Sequence, residues 1–346
     1  MAQSAKAPKI LIIYTGGTIG MVETPNGLQP FDFSHLMDNV PKIGKLGYQI
    51  ESVQFPQPID SSNMNPSYWN QIVKDIADRY DEFDGFVVLH GTDTMAYTAS
   101  ALSFMLRDLR KPVVITGSQL PIGDIREDGT ENLISAVEVA AAKDENGDPM
   151  IQEVVISFQD YIIRGSRSTK FTSTGFHAFK SFNYPALGTI DLHINYAKPY
   201  LMRHNENLPL NPFYSMDPNI LVLWLYPGIT EDVVKAQLAT PGIKAVILRT
   251  FGAGNAPTEQ WFLDALSDAV KKGLIIYNVT QCLNGGDEQK RYYTGDMLAK
   301  AGVISGYDIT VEAAVTKMMY LLGSGLSKDA IVQYLTTPIV GEMTVN

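Results

Sequence analysis

The chain has 346 residues, of which 45% are hydrophobic and 18% charged, a length that predicts roughly two domains and a core large enough to fold without disulfides or metals. A formal net charge of −10 argues against nucleic acid and anionic membrane surfaces as partners, because both are gripped through Lys and Arg. The single cysteine, Cys282, excludes an intramolecular disulfide and fits a reducing compartment.

The start, Met1 to Pro8, runs straight into a short apolar segment without the apolar h-region of a secretory signal. No stretch approaches the roughly 18 apolar residues of a membrane span, so the expectation is a soluble, cytoplasmic protein. Ile10-Leu11-Ile12-Ile13-Tyr14 is a continuous apolar run followed by Gly16-Gly17, the pattern of a strand buried on both faces of a parallel sheet. Asn65-Pro66 marks a helix start, and Trp69, Ile72, Val73, Ile76, Ala77 and Tyr80 fall on one helical face. Phe86 to Leu89 is a second strand, ending at Gly91. Ala99 to Leu109 is rich in apolar residues and predicts a buried helix. Pro112 to Ile115 is a third strand, ending at Gly117. Asn132 to Ala142 predicts another helix, with Asp128-Gly129-Thr130 as its N-cap, before a strand at Val154 to Ile156.

Residues 202–212 are polar and carry prolines, which breaks the rhythm. The alternation then resumes, with strands at Ile220 to Leu225, Ala245 to Leu248 and Leu274 to Tyr277. Helices are predicted at Thr258 to Lys272, Val311 to Leu322 and Lys328 to Leu335. Alternating strands and helices predict βαβ units with parallel strands. The fold class is therefore α/β: a larger, mostly parallel N-terminal sheet flanked by helices (1–200), a linker (201–218) and a smaller C-terminal α/β domain (219–346). No internal repeat or low-complexity tract is visible.

Open parallel sheets bind ligands at the carboxyl ends of their strands. That rule selects Tyr14-Thr15-Gly16-Gly17-Thr18-Ile19-Gly20 and His90-Gly91-Thr92-Asp93-Thr94-Met95. Each sets a threonine beside glycines that permit sharp turns and close approach, with backbone N–H groups available to an oxyanion. A Gly-Gly after a strand is also an ordinary tight turn. A nucleotide fingerprint fits poorly, since the G-x-G-x-x-G spacing is incomplete. His35, His90, His177, His193 and His204 include no pair at metal-ligand spacing, so no metal or other cofactor is expected. His90 reads as a brace for the Gly91-Thr92 turn, and Cys282 as a buried small hydrophobe.

With these two segments in view, the chain resembles the bacterial L-asparaginases, specifically their cytoplasmic type I group. Thr15 to Gly20 matches the first signature of that family, and His90 to Thr98 the second. Arg164-Gly165-Ser166-Arg167-Ser168-Thr169-Lys170 resembles the segment supplying its lysine, and the likeness continues through Leu248-Arg249, Gly254 to Pro257 and Asn278 to Cys282. The resemblance covers essentially the whole chain. It implies an amidohydrolase acting on the side-chain amide of L-asparagine, with Thr15 as primary nucleophile and Thr92, Asp93 and Lys170 as a triad. A hydroxyl becomes a competent nucleophile only when a base takes its proton, and a lysine can serve once burial weakens its hold on a proton. Lysines are otherwise mostly surface cations.

The same resemblance implies that Asp93 holds the substrate ammonium, Ser61 and Ser62 the carboxylate, and the Ser118 carbonyl the leaving amide. Asp60-Ser61-Ser62 reads equally as an N-cap cluster ahead of the Trp69 helix, and both readings can hold. Residues 21–30 look like a lid. The chain departs from many members in having Leu28 where a tyrosine is common, and Tyr292 resembles a position that supplies a substitute. An effector site for asparagine would comprise Thr169, Arg249, Asn255 and Cys282, with Arg249 able to grip a carboxylate bidentately. The assembly the resemblance implies is a tetramer of close dimers, or at least an intimate dimer. Two rivals remain. One is a non-catalytic amino-acid sensor on the same scaffold. The other is the asparaginase-like subunit of a tRNA-dependent amidotransferase, whose extra N-terminal region does not fit before residue 15.

Overall fold

Every residue from Ile10 to Gly16 in the first strand, β1 (Lys9–Gly16), is buried, and hydrogen-bonded strands flank it on both sides. The computed structural model describes residues 7–24, 27–30, 40–122, 124–204, 208–288 and 293–345. The chain forms two units. The first comprises Met1–Ser181 and Pro185–Tyr214, and the second Phe182–Tyr184 and Ser215–Asn346.

In the first unit β1 is followed by an antiparallel hairpin of β2 (Met21–Thr24) and β3 (Gly27–Pro30), then β4 (Gln49–Ile59). Helix α1 (Pro66–Ala77) starts where the side chain of Asn65 accepts the Ser67 N–H, and it buries Trp69, Ile72, Val73 and Ile76 on one face. It stops at Ala77, so Tyr80 lies beyond it; Tyr80 stacks on Phe86 and accepts the Arg110 N–H at 2.8 Å. β5 (Gly85–Leu89) is wholly buried. Helix α2 (Met95–Met105) begins four residues earlier than the apolar run suggests, and only Tyr97 in it is not buried. It gives way to β6 (Leu106–Arg107).

β7 (Val113–Thr116) precedes α3 (Gly129–Ala141). Asp128 occupies the N-cap position of α3 but makes no side-chain cap bond. Its carboxylate instead accepts the Gln119 and Leu120 N–H groups, and Glu127 accepts from Thr130. Next come β8 (Val154–Phe158), β9 (Tyr161–Arg164), β10 (Thr169–Lys170), β11 (Phe179–Lys180), β12 (Gly188–Ile190), β13 (Ile194–Tyr196) and β14 (Asn211–Pro212). The main sheet has the order β13-β12-β9-β8-β7-β5-β1-β4. It is parallel from β4 to β8, and β9, β12 and β13 add an antiparallel edge. The proline-bearing stretch after residue 200 returns to the first unit, where β14 pairs with β6.

The second unit contains β15 (Ile220–Trp224), α4 (Glu231–Leu238), β16 (Ala245–Thr250), α5 (Gln260–Lys271), β17 (Ile275–Thr280), α6 (Tyr293–Lys300), β18 (Ile304–Ser305), α7 (Val311–Gly323) and α8 (Lys328–Leu335). Its parallel sheet runs β15-β16-β17-β18, in chain order. Leu223, Val246, Leu248, Phe262, Leu266 and Ile276 form its core. Several polar groups are buried with it. Lys317 pairs with Glu342 at 2.7 Å, both side chains 0% exposed. Asp287 accepts from Asn278 at 2.8 Å, and burial pushes its carboxyl up to about 7. No helix among the described residues is long and apolar enough to cross a membrane.

Candidate active site

In the order β4-β1-β5-β7 the chain passes from β1 outward to β4, then crosses back to β5 and on to β7. The connections leave β1 and β5 in opposite directions, which opens a crevice at their carboxyl ends. Thr15-Gly16-Gly17 and Gly91-Thr92-Asp93 emerge there. Gly17 has φ +89°, a region open to glycine, and a Cβ on it would sit 2.5 Å from the Gly91 nitrogen. A Cβ on Gly91 would sit 2.7 Å from the Ser61 hydroxyl. Glycine at these positions is what lets the turns after β1, β4 and β5 pack together.

The two threonine hydroxyls have different surroundings. Thr92 Oγ1 accepts from Lys170 Nζ at 2.8 Å and donates to Gln119 Oε1 at 3.1 Å. Lys170 Nζ also donates to Asp93 Oδ1 at 2.7 Å. The lysine side chain is 16% exposed and that of Asp93 69%, so the pair opens outward through its carboxylate. Thr15 is buried, and its hydroxyl donates to the Leu89 carbonyl at 2.9 Å. Thr15 is therefore held against the neighbouring strand, while Thr92 is held against an amine.

Ser61 is buried against Gly91, and its carbonyl accepts the Thr94 hydroxyl at 2.7 Å. Ser62 is exposed, and its hydroxyl donates to Asp60 at 2.8 Å. Bonds from the Ser62 backbone and side chain hold the Asp60 carboxyl below the usual range. Asp60 caps the short 3-10 turn Ser61–Asn63, whereas α1 has its own cap in Asn65; the cluster thus starts a separate turn. Ser118, just past β7, is also buried.

His90 lies at the base of the Thr92 turn and is 0% exposed. Its Nδ1 is 2.7 Å from the Gly91 carbonyl and its Nε2 is 2.8 Å from Thr98 Oγ1. The indole N–H of Trp69 donates to the same hydroxyl at 3.0 Å. Thr98 therefore donates to Nε2, and Nδ1 carries the proton. Burial pushes His90 down to about 4, so the ring is neutral at pH 7 and serves as a brace.

Tyr292 lies outside the described residues, as do residues 25 and 26 of the lid segment. Within that segment Leu28 pairs with Glu23 across the hairpin. Thr169 is buried in the first unit. Arg249, Asn255 and Cys282 belong to the second unit, at or just beyond the carboxyl ends of the adjacent strands β16 and β17. Arg249 is buried and stacks 4.9 Å from the Trp224 ring, and the Asn255 N–H donates to the Phe251 carbonyl. Cys282 is exposed, correcting its reading as a buried small hydrophobe: it falls in the turn after β17, two residues past the last buried strand position. Gln119 carried no signal in the sequence, because one glutamine after Gly117-Ser118 resembles any polar loop residue. A cavity of about 740 Å³ elsewhere in the first unit, lined by Tyr48, Glu138, Asp160, His193 and Tyr196 among others, includes neither threonine turn.

Two family models match the chain, "Asparaginase, N-terminal" over residues 9–201 and "Glutaminase/Asparaginase C-terminal domain" over residues 219–335. L-asparaginase 1 of Escherichia coli K12 is 43% identical over 340 residues, covering 97% of this chain and 98% of the relative. A 60 kDa lysophospholipase of Mus musculus is 38% identical, covering 97% of this chain but 63% of the relative. The crystal structure of L-asparaginase I from Vibrio cholerae superposes with a TM-score of 0.89 at 40% identity, covering 98% of this chain and 100% of that one.

Proposed function

The chain belongs to the asparaginase family, and from that premise we propose that it is an L-asparaginase, an amidohydrolase converting L-asparagine to L-aspartate and ammonia. The observation that carries this reading is the contiguous relay Thr92–Lys170–Asp93, with both links under 3 Å. A hydroxyl touching an amine that touches a carboxylate is the arrangement a threonine nucleophile or its activating partner needs. The 43% identity to a protein named L-asparaginase 1 over nearly the full length of both supports the substrate and disfavours the sensor and amidotransferase-subunit alternatives.

In the proposed reaction the Thr15 oxygen attacks the side-chain amide carbon. The proton leaves through Thr92 and Lys170, the C–N bond breaks, and ammonia departs with that proton. Water then hydrolyses the threonyl ester and restores the hydroxyl. Thr15 must first rotate off the Leu89 carbonyl to reach a substrate. A second reading, favoured by the direct Lys170 contact, makes Thr92 the attacking group. Asp93 takes the substrate ammonium, Ser61 and Ser62 its carboxylate, the Ser118 carbonyl the leaving amide, and Tyr292 assists Thr15. Tyr292 apart, the residues proposed for this chemistry belong to the first unit. Arg249, Asn255 and Cys282 of the second, with Thr169, are proposed to form an effector site in a cytoplasmic tetramer.

The test is ammonia release from L-asparagine by the purified protein, by Thr15→Ala and by Thr92→Val. Wild-type release, with loss in both variants, supports the reading; asparagine binding without any ammonia sinks it in favour of a sensor. Intact-mass analysis during turnover, in each variant, shows which threonine carries the acyl group.

A further inference from the structure

Gln119 sits just past β7 and touches three parts of the site. Its Oε1 accepts the Thr92 hydroxyl at 3.1 Å. Its Nε2 donates to the Gly175 carbonyl at 3.0 Å, in the loop that follows Lys170. Its backbone N–H donates to both oxygens of the buried Asp128 carboxylate at 3.0 Å. Asp128 also takes the Leu120 N–H and the Asn132 amide, each at 3.1 Å, so the backbone from which Gln119 projects is fixed. The Gly175 carbonyl can only accept, which fixes the NH₂ of the amide on that side and leaves Oε1 facing Thr92. The ring Thr92–Lys170–loop–Gly175–Gln119–Thr92 is therefore closed, and the Thr92 proton points to the fixed Gln119 acceptor.

Resting on the reading of Thr92 and Lys170 as catalytic, we propose that Gln119 is a positioning residue that sets the direction of the Thr92 hydroxyl. A threonine hydroxyl has one proton and two lone pairs. In the resting arrangement the Thr92 proton is held on Gln119 and a lone pair faces the Lys170 amine, so the Thr92 oxygen is fixed before substrate arrives; the proton turns to Lys170 only when the amine is neutral and can accept it. Without an acceptor at Oε1 the hydroxyl turns freely about its C–O bond. An error of this kind in a reacting group costs up to about a hundredfold in rate while leaving binding contacts intact.

The experiment compares Gln119→Met and Gln119→Glu with wild type by steady-state ammonia release. Methionine keeps the length and removes both hydrogen bonds. Glutamate keeps an acceptor toward Thr92 but sets an oxygen against the Gly175 carbonyl. The expected result is a kcat lowered by about ten- to a hundredfold in Gln119→Met, with KM within about threefold, and a kcat largely restored in Gln119→Glu. Equal losses in the two variants, an unchanged kcat in Gln119→Met, or an effect confined to KM overturns the proposal. Should the methionine variant not fold, Gln119→Leu takes its place in the same assay, with the same expected loss of kcat and the same overturning results. Wild-type protein in the same assay separates the two failures, because silence there defeats the catalytic reading itself.

Discussion

In the first unit the strand order reverses direction between β1 and β5, and the turns that emerge there carry the Thr15 and Thr92 hydroxyls, the second touching the Lys170 amine of β10. In the second unit β15, β16, β17 and β18 follow one another in chain order, so no such reversal occurs. Each unit nevertheless holds a lysine–carboxylate pair at the same separation, 2.7 Å: Lys170–Asp93 in the first and Lys317–Glu342 in the second. Lys170 shares its amine with a threonine hydroxyl, and its partner is mostly exposed. Lys317 also donates to the Leu335 and Thr337 carbonyls, while Glu342 accepts the Ile339 and Val340 N–H groups. The second pair is saturated by the chain itself and pins the C-terminal segment, leaving nothing for a ligand. Burial drives the Lys317 amine toward its neutral form, and the Glu342 charge opposes this. Separation alone does not distinguish a reactive pair from a structural one; the identity of the third partner does.

The comparison breaks most sharply at Lys170. Lys170→Met is expected to lower kcat by roughly 10²–10⁴-fold, with a melting temperature close to that of wild type. A variant that keeps its turnover, or one that unfolds, would place Lys170 in the same class as Lys317. Lys317→Met should do the reverse. It strands the buried Glu342 charge at a cost of about 3–5 kcal/mol of stability, measured by denaturant unfolding. Lys317→Met/Glu342→Leu should recover most of that loss, and a double variant as unstable as the single one would show that the pair is not what holds the segment.

Acid and base sharpen the contrast by sign. His90 in the first unit is depressed to about 4 from 6.5. Its contribution is present above pH 6.5 and is lost as pH falls toward 4, by roughly 3 kcal/mol. Asp287 in the second unit is raised to about 7 from 3.8. Its contribution is present below pH 4 and is lost as pH rises through 7, by roughly 4 kcal/mol. Amide exchange resolved by unit at pH 4.5 and 7.5 should move in opposite directions, and Asp287→Asn should flatten the slope of the second unit. Parallel movement of both units would reject these assignments.

The buried parallel strands were readable in the sequence because they consist of unbroken apolar runs, as at Ile10 to Tyr14 and Phe86 to Leu89, and the glycines that end them marked the crevice. β9, β12 and β13 were not: β12 and β13 bury little, and β9, though Ile162 to Arg164 are buried, is too short to show a long run. Helix α4 escaped for a related reason: only Val234 in it is buried. The return of β14 onto β6 depends on pairing between residues a hundred positions apart, which no local pattern encodes. Asp128 resembled a helix cap by position, yet its carboxylate is claimed by the turn holding Gln119. Motif segments indicate which side chains to examine. Which of them touch, such as Thr92 with Gln119 and Thr15 with Leu89, is decided by packing from other strands.

The hydrogen-bonded chain from Trp69 through Thr98 and His90 to Gly91 ends one residue before Thr92. Of the three tryptophans, Trp69 is 5% exposed and Trp224 53%, while Trp261 is half-buried. An indole in dry surroundings emits at shorter wavelength than one in water, so the blue edge of the intrinsic fluorescence belongs largely to Trp69. The protein thus carries an indole wired to the base of the Thr92 turn, and a shift of that blue edge on adding L-asparagine is the expected label-free sign of ligand capture at the crevice.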